Sequence, residues 1–390
     1  MHTDILIVGC GVGGLFAALN LPKDKKITLI TESKAEESDS FLAQGGICVL
    51  HDENDYDSFY EDTMRAGHYE NDPSSDDIMI RSSRKTINKL VDLGVRFERN
   101  EEGFVYTREG AHSSPRILYH RDETGREITS CLVTEAKKRE NITLIEEYAM
   151  VDLICRDNTC YGIIGRDKGG EYSYICADYT VLATGGIGGL FKHSTNYSHL
   201  TGDALALALK YGIRLKNIDY IQIHPTTLYS EKSGREFLIS ESVRGEGAIL
   251  YNSKGERFVN ELLPRDVVAD AIFAEMKKEK SEFVRLSLEN ISEDTIKSHF
   301  PNIYKRCLEE GYDITREPIP VVPSQHYFMG GIEVDSDSKT SMERLFAVGE
   351  TACNGVHGKN RLASNSLLES LVFADRWQSV YRTNILLQSP

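Results

Sequence analysis

The chain opens with an apolar run, Asp4-Ile5-Leu6-Ile7-Val8, that stops on glycine; residues 13–21 (GGLFAALNL) then read as a helix ended by Pro22. A second apolar run over 27–30 (ITLI) closes at Glu32. Unbroken apolar runs of this length predict strands buried on both faces. Strand, glycine turn, helix, strand and acid together make a βαβ unit on a parallel sheet. The stretch 50–100 is polar, with helical periodicity over 78–94. Short β-like segments follow one another through 142–182, and glycine pairs stand at 185–186 and 188–189. Residues 204–211 (ALALALKY) read as helix.

From about Pro225 to Gln325 the pattern changes: charge rises, strand signals thin out, and helical segments at 267–280 and 303–311 predominate. The β/α pattern resumes at 345–349 (LFAVG), followed by a Gly/Asn loop and a helix from near Ser366. The expected fold class is therefore α/β. A Rossmann-like domain in two parts, 1–224 and 326–390, is interrupted by an inserted α+β domain over 225–325, with the active site at their interface.

Composition narrows the partners. At 390 residues the chain exceeds one ordinary core. Its net charge of −15 argues against nucleic acid or an anionic membrane surface as main partner, and an anionic substrate would need a local cluster of Arg and His. Eight cysteines without a C-x-x-C pair suggest reduced thiols, with no metal site expected. The N-terminal apolar run is broken by glycines and lacks a basic flank, so it is not read as a signal peptide; the expected location is cytoplasmic.

Gly9-Cys10-Gly11-Val12-Gly13-Gly14 follows a strand and opens a helix, with Glu32 ending the next strand. That context admits a pyrophosphate to the helix N-terminus and gives ribose hydroxyls an acceptor. NAD or FAD would satisfy it. Ala183-Thr184-Gly185-Gly186 and Val348-Gly349-Glu350, each after a further buried strand, favour FAD, because a late carboxylate at Glu350 can reach ribityl hydroxyls. The helix from Ser366 can aim its positive end at the pyrimidine edge of a flavin.

Phe41-Leu42-Ala43-Gln44-Gly45-Gly46, His224-Pro225-Thr226, Arg244-Gly245-Glu246-Gly247, Pro264-Arg265-Asp266, His326-Tyr327-Phe328-Met329-Gly330-Gly331 and Asn360-Arg361-Leu362-Ala363-Ser364-Asn365-Ser366 occur in this order. Together they resemble the flavoprotein family of succinate dehydrogenase, fumarate reductase and L-aspartate oxidase, over nearly the whole chain. The resemblance implies that the insertion caps the flavin and that the C-terminal helical domain usual in the family is absent. It implies FAD contacts from Gly9, Gly11, Gly13, Gly14, Glu32, Phe41, Ala43, Gln44, Gly45, Gly46, Gly185, Gly186, Asp203, Glu350, Ser366 and Leu367. Succinate dehydrogenases carry a flavin-attached histidine where this chain has Asp39, so the FAD is expected to be non-covalent. The segment between Phe258 and Pro264 is short for the family.

A dicarboxylate beside a flavin needs cations, and Arg265, Arg361, His224 and His326 all lie in Gly/Pro/Asn-flanked loops. By resemblance, Arg361 clamps one carboxylate, His224 and His326 bind carboxylates, and Gln222 and Ser364 are polar neighbours. Arg265 serves as acid/base, with Glu241 and Arg244 as a relay behind it. The loop Thr107–Leu118 resembles that of the aspartate-oxidising branch, in which Glu109 would face a substrate ammonium. The implied activity is FAD-dependent oxidation of L-aspartate to iminoaspartate, with O2 or fumarate reoxidising the flavin. This is the first step of bacterial NAD (quinolinate) biosynthesis, with quinolinate synthase as a functional partner. A soluble fumarate reductase or succinate dehydrogenase flavoprotein subunit would have no need of Glu109. A catalytically silent flavin-binding subunit would tolerate loss of Arg265 and both histidines.

Overall fold

The computed structural model describes residues 1–231 and 234–388, with side chains as far as Gln378 in the last helix; Pro390, the end of the expected second part, lies outside the described residues. The opening run forms the strand His2–Val8, which pairs in parallel with Ile27–Thr31 on one side and Tyr172–Leu182 on the other. Ile142–Glu146 extends the sheet beyond Ile27–Thr31, Leu345–Ala347 pairs with Tyr172–Leu182, and an antiparallel ribbon of Thr159–Asp167 and Tyr148–Arg156 completes seven strands. Register decides where the site falls. Val8 is level with Ile30 and Leu182, and Leu182 with Ala347. The glycine turn at Gly9, the acid Glu32, the Ala183–Gly186 turn and Glu350 thus all emerge along one line at the carboxyl ends of the strands, where doubly wound sheets bind ligands.

The helix Val12–Asn20 is apolar all round because it is covered all round, packing on the helices Thr124–Lys138 and Asn365–Gln388. The helix expected over 78–94 begins earlier, at Pro73, where Asp72 accepts from the amides of Ser74 and Ser75 and proline fits the first turn.

Strand signals thin out over 225–325, yet the segment is built on a five-stranded antiparallel sheet. Its order is Phe237–Leu238, Ile221–Leu228, Ile319–Phe328, Val284–Ser287, Ile249–Tyr251. The helices Arg265–Glu279, Glu293–His299 and Pro301–Glu309 accompany the sheet, around a separate core that includes Val243, Leu250, Ile272, Leu286, Ile303 and Val321. Prolines 225, 320 and 323 and the buried polar residues Gln222, His224 and Gln325 disguise the two longest strands. A register shift between His224 and Thr227 absorbs Pro225. These two strands run through residues 224–225 and 325–326, and carry Gln222, His224 and His326 to the cleft between the two sheets.

Candidate active site

A cleft with about 1680 Å³ of space, open solvent included, runs from Gly9 and Glu32 to Arg265 and Arg361. Its narrow end is shaped by missing side chains. Gly9 has φ +115°, and a Cβ there would stand 2.0 Å from the Ala183 carbonyl oxygen; one on Gly14 would stand 2.0 Å from that of Gly9. Gly11 and Gly13 line the cleft beside the first turn of Val12–Asn20, and the Val12 amide donates to Ser40 Oγ at 3.2 Å. Glu32 and Asp203 face the same space; burial, then the charge of Asp203, raises the Glu32 carboxyl above its ordinary range.

Farther along, Ala43, Gln44, Gly45 and Gly46 form one wall and Gly185, Glu350, Ser366 and Leu367 another. Three expected contacts sit behind the lining. Gly14 packs under Gly9, a Cβ on Gly186 would meet Glu350 Oε1 at 2.3 Å, and Phe41 lies beneath the Arg126 guanidinium at 5.3 Å. The Phe328 amide donates to Glu350 Oε1 at 2.9 Å, while burial and then Asp39 push the Glu350 carboxyl up to about 8. Asp39 lines the cleft; the Tyr197 amide donates to its Oδ1 at 3.0 Å, and burial pushes its pKa up to about 7. Ser38, Ser40, Asn196 and Arg235 also line the cleft, and no motif singled them out; Tyr327 of the His326–Gly331 motif lines it too.

Several polar atoms of these lining residues are buried without a protein partner: Ser38 Oγ, Asp39 Oδ2, Gln44 Oε1, His224 Nε2 and Arg361 Nε. Buried polar atoms are nearly always satisfied. A long cofactor carrying hydroxyls and ring heteroatoms, threaded past the glycine turn, suits this spread of donors and acceptors, so the residues fit FAD.

At the wide end the charged groups converge. Arg265 Nε donates to Glu241 Oε2 at 2.5 Å, and its Nη1 to Gln222 Oε1 at 2.8 Å. Gln222 in turn donates to Asn360 Oδ1 and to the Arg361 carbonyl, each at 2.8 Å. Arg244 lies behind, its Nη2 3.3 Å from the same Glu241 oxygen. Burial raises the Glu241 carboxyl, but Arg265 and Arg244 outweigh it and hold the group below its ordinary range. Arg361 reaches Ser366 Oγ at 2.6 Å and covers the Tyr327 ring at 4.3 Å; burial, then Arg265, brings it down to about 10, still a cation at neutral pH.

His224 and His326 meet edge to face, with ring centroids 5.0 Å apart. Burial, then the Arg265 guanidinium, holds both well below the ordinary histidine range. The four expected cations therefore reduce to two, and the histidines enter as neutral hydrogen-bonding groups. His224 Nδ1 lies 3.2 Å from both the amide nitrogen and the carbonyl oxygen of Thr226, and its Nε2 is left without a protein partner. His326 Nδ1 lies 2.7 Å from Thr195 Oγ1.

Glu109 is 3% exposed. Ser242 donates to its Oε1 at 2.6 Å and Ser364 to its Oε2, and Ser364 also accepts from the Gly46 amide. Burial, then the charge of Glu241, raises its pKa. The lining thus brings Glu109, Glu241, Arg265, Arg361, His224, His326 and Ser364 together from six separate stretches of sequence, with Gln222 and Arg244 supporting from behind.

A model of the FAD binding domain matches residues 4–367. The L-aspartate oxidase of Clostridium perfringens is 53% identical over 96% of this chain and 85% of its own length. That of Clostridium acetobutylicum is 50% identical over 96% of this chain and 87% of its own. Among solved structures, the FrdA chain of the E. coli quinol fumarate reductase superposes with a TM-score of 0.92 at 29% identity, covering 100% of this chain and 72% of that one.

Proposed function

This chain belongs to the L-aspartate oxidase family of FAD-binding flavoproteins, and we propose that its cleft oxidises L-aspartate to iminoaspartate with the residues set out here. The buried carboxylate of Glu109, gathered at the same end of the cleft as Arg265 and Arg361, is the observation that carries the substrate. Burial and Glu241 make that carboxylate unfavourable, and an α-ammonium beside it would relieve the cost.

Arg361 clamps one carboxylate of the substrate, and neutral His224 and His326 donate to the carboxylates from the opposite strands. Arg265 lies over the reacting carbons and manages the proton, held in orientation by Glu241 and Gln222; Arg244 keeps Glu241 ionised. FAD, when bound, supplies the acceptor for the Cα hydride. The turn Gly9–Gly14 and the helix that follows would hold its pyrophosphate, Glu32 its ribose, Glu350 its ribityl chain and the first turn of Asn365–Gln388 its pyrimidine edge. The insertion 225–325 acts as a cap that excludes water from this chemistry.

Fumarate or O2 takes up the electrons. Iminoaspartate hydrolyses readily, so an enzyme that consumes it, such as quinolinate synthase, is a fitting functional partner in NAD biosynthesis. Among the described residues no helix is long and apolar enough to cross a membrane. All eight cysteines are free, as suits a reducing cytoplasm. The test is hydrogen peroxide formation with L-aspartate, set against fumarate reduction by a reduced dye. Fumarate reduction without any aspartate oxidation would replace this reading by that of a reductase flavoprotein.

A further inference from the structure

Arg116 and His112 share the Glu109 loop but have no part in the chemistry above. Arg116 is wholly buried, with Nε and Nη2 on the two oxygens of Asp55 at 3.0 and 2.9 Å and Nη1 on Asp62 Oδ2 at 2.7 Å. The same Nη1 lies 3.0 Å from His112 Nδ1. A guanidinium can only donate, so Nδ1 accepts and the imidazole proton sits on Nε2. That nitrogen faces the Ala363 carbonyl oxygen at 3.0 Å. Burial and the neighbouring guanidinium hold the imidazole below its ordinary range, which keeps this tautomer neutral.

Ala363 lies between Arg361 and Ser364, in the loop assigned to the substrate carboxylate. The backbone amide of His112 donates to the Glu109 carbonyl at 3.3 Å, closing the turn that aims Glu109 into the cleft. The imidazole therefore ties the loop carrying the ammonium-binding acid to the loop carrying the carboxylate-binding arginine, on an anchor fixed by Asp55 and Asp62. We propose that His112 is a positioning residue that sets the spacing between Glu109 and Arg361, and so favours dicarboxylates that bear an α-ammonium. This rests on the roles assigned to those two residues. L-Aspartate must satisfy both at once, whereas succinate has nothing to offer Glu109.

Two variants separate positioning from packing. In His112→Asn the amide oxygen is as many bonds from Cα as Nδ1, so Arg116 keeps its acceptor, but the side chain falls short of Ala363. In His112→Gln the amide nitrogen is as many bonds from Cα as Nε2, and the donor to Ala363 is kept. Binding of L-aspartate and of succinate to the FAD-loaded protein is read from the flavin difference spectrum on rapid mixing, before the flavin is reduced, alongside flavin content and Tm. The expected result is L-aspartate affinity about 10-fold or more weaker in His112→Asn, the scale of one lost hydrogen bond to a buried acceptor. Succinate should change far less, His112→Gln should bind as wild type, and flavin content should be unaltered. Equal losses for both ligands, no loss in His112→Asn, or flavin loss in both variants would overturn the proposal. Wild-type protein that binds L-aspartate without oxidising it would sink the proposed reaction, while the binding difference would still decide the role of His112.

Discussion

Arg265 Nε and Glu241 Oε2 stand 2.5 Å apart, with both side chains almost wholly shielded from solvent, and Arg244 Nη2 lies 3.3 Å from the same Glu241 oxygen. One carboxylate thus orients two guanidiniums, of which only Arg265 lines the cleft. An arginine so held is fixed in place and, through its carboxylate partner, has somewhere to hand a proton.

Removing Arg265 should therefore strike the chemistry and spare the cofactor. Arg265→Leu is expected to keep its FAD and to lose on the order of 10²–10⁴-fold in kcat with both L-aspartate and fumarate. Steady-state assays with flavin content measured in parallel check this, and full activity would place proton transfer elsewhere.

In the proposed function Arg361 contacts a carboxylate that is present before and after hydride transfer, so its loss should act on binding. Arg361→Leu is expected to raise KM for L-aspartate about 10–100-fold, the value of a charge-assisted contact of roughly 1.5–3 kcal/mol, with a smaller change in kcat. An unchanged KM would remove Arg361 from the substrate site.

The strand ends Val8, Ile30 and Leu182 were legible because parallel strands buried on both faces read as continuous apolar runs, and the glycine turn follows directly from one of them. The strands Ile221–Leu228 and Ile319–Phe328 were not legible, because they wall a polar cleft. Gln222, His224 and Gln325 interrupt the apolar pattern, and three prolines demote it further. Arg265, expected in a loop but found opening the helix Arg265–Glu279, and the loops bearing Arg361 and Glu109 stood out as motifs. Their meeting did not, since Ser242 reaches Glu109 across 133 residues and Ser364 reaches it across 255. Nor does any sequence pattern reveal that His224 and His326 are neutral. That follows from burial beside two guanidiniums.

By the family resemblance, Asp39 stands where succinate dehydrogenases carry a flavin-attached histidine, and a carboxyl offers no imidazole for such a bond. Precipitating the yellow protein with acid should release all of its flavin as free FAD into the supernatant. Flavin retained in the washed pellet would contradict non-covalent binding.

Asp76, wholly buried in the helix Pro73–Asp92, should make stability depend on pH. Burial, then the charge of Asp72, pushes its pKa up to about 9, against about 3.9 for an unfolded aspartate. A raised folded pKa means a contribution fully present below the unfolded value and lost as pH rises through the folded one. Asp76→Asn escapes that loss. Its advantage over wild type in free energy of unfolding should widen between about pH 5 and pH 8.5, by up to about 1.4 kcal/mol per pH unit. A gap that does not change with pH would show that the carboxyl is not held neutral.

The central claim is that Glu109 meets a substrate ammonium, and kcat/KM of Glu109→Gln for L-aspartate and for fumarate tests it most directly. A charge-assisted contact of roughly 1.5–3 kcal/mol predicts a loss on the order of 10–100-fold with L-aspartate. Fumarate carries no ammonium, so its reduction should be unchanged, or faster once a buried negative charge is removed from beside its carboxylates. Equal losses with both substrates would make Glu109 a structural member of its loop and contradict the assignment.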